Sequence, residues 1–145
     1  MNIFFDVDQT ILGLDSSLRP GAREVMQGLI DGGHRVYLWS GMGVRTEVVK
    51  RHKLGPLVSG LYPKPHYSHQ EKLAEMGVPV TPDFVVDDDP EVVMAFGGLW
   101  VPPYHFSGTE DKEMERVSRV AMEYAHKGTS PDAHFRAKKL YHASL

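Results

Sequence analysis

The chain has 145 residues, 16 Lys and Arg against 19 Asp and Glu, a formal net charge of −3 and no cysteine. That length holds one core and little more, and the missing cysteine excludes disulfides and thiolate metal sites, which fits a reducing compartment such as the cytoplasm. The net acidity argues against a broad basic face for nucleic acid, and no apolar run reaches the roughly 18 residues that span a bilayer.

Met1-Asn2 leads into Ile3-Phe4-Phe5, a continuous apolar run that reads as a strand buried on both faces of a parallel sheet rather than as a signal peptide. Pro20-Gly21 opens a helix whose apolar positions are Ala22, Val25, Met26, Leu29 and Ile30, closed by Gly32-Gly33. Val36 to Trp39 is a second strand stopping at Ser40-Gly41, followed by a helix from about Val44 to Leu54 and a short strand within Leu57 to Tyr62. Ser68-His69-Gln70-Glu71 has the capping-box pattern and predicts a helix through Leu73 and Met76 to Gly77.

Phe84-Val85-Val86 is a strand flowing into Asp87-Asp88-Asp89, and Pro90 starts a helix carrying Val92, Val93 and Phe96, with Asp89 as its cap. Leu99 to Val101 is a last short strand, and a helix between about Thr109 and His126 carries Met114, Val117, Ala121 and Tyr124 on one stripe. The alternation predicts an α/β domain over residues 1–128, with a mostly parallel central sheet, right-handed crossovers and helices on both faces. Residues 129–145 are polar and basic and read as a tail or a docked extension.

Ligands of open α/β sheets bind beyond the carboxyl ends of the strands. Asp6-Val7-Asp8-Gln9-Thr10, Ser40 and Asp87-Asp88-Asp89 each follow an apolar run directly, so they fall at those ends. A pocket with that much negative charge repels phosphate unless a cation lies between, which already points to metal.

In these segments the chain resembles the haloacid dehalogenase-like superfamily of phosphotransferases. Asp6-Val7-Asp8-Gln9-Thr10 looks like its first motif, Asp-x-Asp-x-Thr, with Gln9 where Gly is commoner. Ser40 is similar to the second motif, Lys64-Pro65 to the third and Asp87-Asp88 to the acidic fourth, in order over about two-thirds of the chain. The resemblance implies a Rossmann-like domain and a phosphatase, with Asp6 as nucleophile and Asp8 as acid and base. It implies Ser40 and Lys64 on the phosphoryl group, aided by backbone N–H groups opening the helix after Ser40. Gly41 and Arg45 follow Ser40 towards the expected pocket and are substrate-binding candidates, Arg45 against the reading of a solvated arginine. It also implies Mg2+ held by the Asp6 carboxylate, the Asp8 carbonyl and the fourth motif, with Asp88 the favoured direct ligand and Asp87 its partner.

The segments after the first motif and between the second and third leave no room for a cap domain. Capless members of the superfamily take large substrates or borrow cover from a neighbouring subunit. The expected partner is therefore a phosphorylated small molecule or a nucleic-acid end, a homo-oligomer is a further expectation, and no membrane is involved. The order of acids, hydroxyl and lysine disfavours a receiver domain, and a catalytically weak Mg2+-binding regulatory protein on the same fold is the alternative. His66 and His69 straddle a helix start without a third ligand at zinc spacing, Asp15 reads as a turn residue, and Trp39 and Trp100 read as core. Lys50 to Lys53 reads as a solvated charge run.

Overall fold

Side chains alternate across each strand, so Ile3 and Phe5 face one way and Phe4 the other, and all three are fully buried. The computed structural model, which describes residues 1–108 and 110–140, realises this as a sheet covered on both faces. The strands are β1 (Asn2–Asp6), β2 (Arg35–Ser40), β3 (Gly60–Pro63), β4 (Phe84–Asp87), β5 (Gly98–Trp100) and β6 (Phe135–Arg136). The helices are α1 (Ala22–Asp31), α2 (Thr46–Arg51), α3 (His69–Glu75), α4 (Pro90–Phe96) and α5 (Glu113–Lys127), with a 3-10 turn at Gly55–Leu57. The sheet order is β3-β2-β1-β4-β5-β6, parallel except for β6, which runs antiparallel to β5. This is a Rossmann-like α/β domain, its sheet mostly parallel as the alternation of elements predicts.

Ile3, Phe5, Leu38, Phe84 and Val86 pack on one face against Met26 and Leu29 of α1 and Met114, Val117 and Val120 of α5. Phe4, Tyr37, Trp39 and Val85 pack on the other against Leu73 of α3 and Val92, Val93 and Phe96 of α4. Gly98 is required where β5 meets β4. At φ 139° its backbone approaches so closely that a Cβ would lie 2.0 Å from the Val85 carbonyl oxygen.

Several elements differ from expectation. Residues 41–45 form a turn containing Gly43 at φ 96°, so α2 starts at Thr46 instead of Val44. It stops early because Lys53 is left-handed and Arg23 takes the carbonyls of His52 and Lys53. His52 also reaches Ser16 O at 2.9 Å, so the 50–53 run is partly docked rather than only solvated. The capping box at Ser68 does not form: Ser68 is left-handed (φ 50°, ψ 35°) instead of extended, and its side chain caps nothing.

Asp89, by contrast, caps α4, accepting the Glu91 N–H at 2.9 Å. The last long helix begins at Glu113, and Thr109 lies outside the described residues. The segment after Gly128 supplies β6 and ion pairs from Asp132 to Arg116 and Arg119 and from Lys138 to Asp83, while residues 141–145 lie outside the description. Among the described residues no helix is long and apolar enough to cross a membrane. They also carry no further domain between β1 and α1 or between β2 and β3.

Candidate functional site

Parallel pairing brings the carboxyl ends of four strands into one row. Asp6 is level with Trp39, Ser40 with Pro63 and Asp87 with Trp100. Lys64 follows β3 directly, its N–H extending the ladder to Ser40 O at 2.8 Å. Lys64, Ser40, Asp6 and Asp87 therefore share one edge of the sheet. A cleft of about 350 Å³ opens there, lined by Asp6, Asp8, Ser40, Lys64 and Asp88, with Gly41 and His66 at its side.

The turn after β1 aims Thr10 back at the strand end. The carbonyl of Val7 accepts the N–H groups of Thr10, Ile11 and Leu12, while Gln9 takes a left-handed conformation at φ 63°. Thr10 is fully buried, and its Oγ lies 2.9 Å from Asp6 Oδ2 and 3.0 Å from Asp88 Oδ1 while accepting the Asp88 N–H at 3.1 Å. One hydroxyl hydrogen serves only one of these carboxylates at a time. The sequence motif contains Thr10 but gives it no task, and its bridging position is found only in the folded chain.

Lys64 Nζ donates to Asp6 Oδ1 at 2.9 Å and to Asp87 Oδ2 at 3.1 Å, and Asp87 Oδ1 accepts the Asp89 N–H at 2.9 Å. Burial, then the Asp87 carboxylate, pushes the Asp6 pKa up to about 8 against the pull of Lys64. Burial also raises Asp87, to about 6, with Lys64 opposing. Burial works against the charge on Lys64, but Asp87 and Asp6 outweigh it and hold Lys64 above the ordinary lysine range. Two buried carboxylates thus share one ammonium, and the leftover negative charge calls for a proton or a cation.

Asp6, Asp87 and Asp88 each offer a carboxylate oxygen, all within 4.8 Å of one another. This donor set is all oxygen, which suits a hard divalent cation such as Mg2+. Asp87 is fully buried with both oxygens engaged, whereas Asp88 is half-buried and lines the cleft. The Asp8 carboxylate is not part of the cluster. It accepts Ser40 Oγ at 3.0 Å and forms an ion pair with Arg45, whose Nε donates to Glu47 at 2.6 Å.

Ser40 also accepts the Met42 N–H at 3.0 Å, so that amide is turned to the hydroxyl, and the start of α2 lies beyond the turn instead of directly after Ser40. Arg45 reaches the cleft through Asp8, and the Gly41 backbone lies against the His66 ring, 2.8 Å from where a Cβ would stand. Trp39 is core, but Trp100 is half-buried and donates its indole N–H to Asp88 O at 2.8 Å. Asp15 is a turn residue tied to Ser17 and Ser107, and those hydrogen bonds, led by the Ser17 hydroxyl, hold its carboxyl well below the usual range.

A residue that sequence reasoning missed is Arg19, which is 2% exposed, donates to Thr10 O at 3.1 Å and pairs with Asp111. An arginine between a turn and a helix-opening proline carries no signal of burial.

No family model and no curated relative matches the chain. A solved crystal structure aligns over 88% of this chain and 84% of its own, at 11% identity and a TM-score of 0.48, a likeness too slight to carry an argument.

Proposed function

We propose that this chain is a magnesium-dependent phosphomonoesterase working through an aspartyl-phosphate on Asp6, as its resemblance to the haloacid dehalogenase-like superfamily implies. The observation that carries the reading is the shared ammonium: Lys64 bonds both Asp6 and Asp87, with the Asp88 carboxylate within 4.8 Å of theirs. Phosphoryl transfer requires positioning and charge neutralisation more than any covalent machinery. A bound Mg2+ would supply charge neutralisation on the phosphoryl oxygens, held by Asp6, Asp88 and the Asp8 carbonyl with Asp87 behind.

In this reading a carboxylate oxygen of Asp6 attacks phosphorus as the P–O bond to the leaving group breaks. Asp8 gives its proton to the leaving oxygen, then takes one from the water that hydrolyses the intermediate. Lys64 balances charge beside Asp6, and Ser40 donates to a phosphoryl oxygen once released from Asp8. The open cleft suits a phosphorylated nucleotide, a nucleic-acid end or another large phosphate ester. The absence of cysteine suits the cytoplasm. The test is turnover of p-nitrophenyl phosphate with Mg2+. Asp6→Asn should abolish it while the fold remains, and turnover equal to wild type would remove Asp6 from the mechanism.

One observation favours the alternative of a weakly catalytic regulatory protein. The Asp8 carboxylate is tied to both Arg45 and Ser40, the two groups that the phosphatase reading needs on the phosphoryl group. Mg2+ binding without turnover of any phosphate ester in a broad panel would decide for that reading.

A further inference from the structure

A second cavity, of about 400 Å³, runs along α4, β5 and β6 and is lined by Asp88, Val93, Met94, Trp100, His134 and Arg136. It meets the candidate site at Asp88, which lines both. Trp100 ends β5 level with Asp87, so the cavity lies at the same carboxyl edge as the acidic cluster. Its volume falls in the usual range for small-molecule sites, about 300–1,000 Å³.

The walls have a particular chemistry. The Trp100 indole N–H is already engaged by Asp88 O, so what the ring offers is its face. The His134 ring stands 4.8 Å away, inclined by 60°, and Val93 adds an aliphatic side chain to the lining. Met94 is 59% exposed, an adaptable thioether on the cavity wall. His134 Nδ1 lies 3.1 Å from Arg116 Nη2, which can only donate, so Nδ1 accepts and the neutral ring carries its proton on Nε2. Arg136 also lines the cavity, its Nη1 donating to the Ala133 and Phe135 carbonyls at 3.2 and 2.8 Å. An aromatic face with N–H donors at hand suits a flat heteroaromatic ring bearing acceptor nitrogens and carbonyls better than it suits a sugar or an alkyl chain.

We propose that this cavity is the nucleobase subsite of the neighbouring phosphate site, and that the substrate is a nucleoside monophosphate. The proposal rests on the phosphoesterase reading for the position of the phosphate. The base stacks at Trp100, and the ribose spans Asp88 to reach Asp6 and Lys64.

The test compares adenosine monophosphate with ribose 5-phosphate by calorimetry, using the full chain carrying Asp6→Asn so that neither is consumed. The expected result is binding about tenfold tighter for the nucleotide, with that ratio falling towards one in a second chain that also carries Met94→Glu. On the wild-type chain, free adenosine should quench tryptophan fluorescence, and Trp100→Leu should remove the effect because Trp39 is 1% exposed and out of reach. Equal affinity for the two phosphates, binding of neither with no quenching, or a preference that survives both Met94→Glu and Trp100→Leu would overturn the proposal. Hydrolysis of p-nitrophenyl phosphate with no nucleotide preference would sink the subsite and leave the phosphatase standing. A nucleotide preference with no hydrolysis of any ester would keep the subsite and sink the phosphatase.

Discussion

Arg19 and Asp111, 92 residues apart, meet fork to fork: Arg19 Nε lies 3.1 Å from both carboxylate oxygens, and Nη2 lies 3.1 Å from Oδ2. Arg19 Nη1 donates to Thr10 O at 3.1 Å, and the guanidinium sits 5.6 Å from the centre of the Tyr104 ring. The pair therefore fixes the turn that aims Thr10 at Asp6 and Asp88. Asp111→Ala strands a buried cation and should cost about 3 kcal/mol in urea unfolding. Arg19→Met with Asp111→Leu removes both charges and should recover most of that loss. Turnover should fall in the double variant all the same, because replacing Arg19 takes the donor from Thr10 O. Full recovery of both would show that the pair serves stability alone.

Lys64 stands between Asp6 and Asp87, so its removal leaves two buried carboxylates facing each other. Lys64→Met should reduce kcat by roughly 100-fold or more, the usual cost of removing a group that stabilises transition-state charge. The same variant should depend more on Mg2+ for stability, with its Tm rising further than wild type when the ion is added. Thermal unfolding with and without EDTA reads this directly, and equal Tm shifts in the two proteins would argue against a cation beside Asp6.

Gln9 occupies φ 63°, where glycine is unstrained and a side chain is costly. Gln9→Gly should therefore be close to neutral, the relieved strain offsetting the entropy that glycine loses on folding. Gln9→Val, β-branched at positive φ, should lose about 1–2 kcal/mol. Urea midpoints of the two variants test the pair, and equal stability would mean that the turn relaxes at no cost.

The Asp6, Ser40 and Asp87 positions were legible because each polar residue ends an apolar run, and parallel strands must put such ends on one edge. Asp89 was legible because a carboxylate before Pro90 is a local signal with a local partner. Arg19, Tyr104 and Asp111 were not, since their partners lie on a loop distant in sequence and nothing local marks a buried arginine. The Ser68 capping box misled because the pattern specifies side chains while the backbone there turns left-handed. β6 was obscured by its length: two residues, Phe135 and Arg136, are too few for a period, and their pairing comes from the edge that β5 leaves open.

That short strand is held by charge, and this gives it a pH dependence. Arg116 pairs with Asp132 at 2.8 Å and lowers its pKa, the Arg116 hydrogen bond leading and burial opposing. On the far side of β6, burial would raise Asp83, but the Asn2 N–H, then Lys138, outweigh it and hold its pKa below the ordinary value. A carboxylate whose folded pKa is depressed contributes stability that is fully present above its unfolded value, about 3.9. That stability is lost as the pH falls through the lower folded value. Below about pH 3.9 both clamps should therefore weaken together, so β6 should loosen from β5 before the parallel strands separate. Because β6 carries the His134 and Arg136 side of the second cavity, hydrogen exchange at the Leu99–Phe135 pairing should speed up there while Phe4 and Val85 stay protected. Asp132→Asn removes one titrating group and should flatten this acid response while weakening the strand at neutral pH. Equal acid sensitivity in the variant and wild type would place the response elsewhere in the fold.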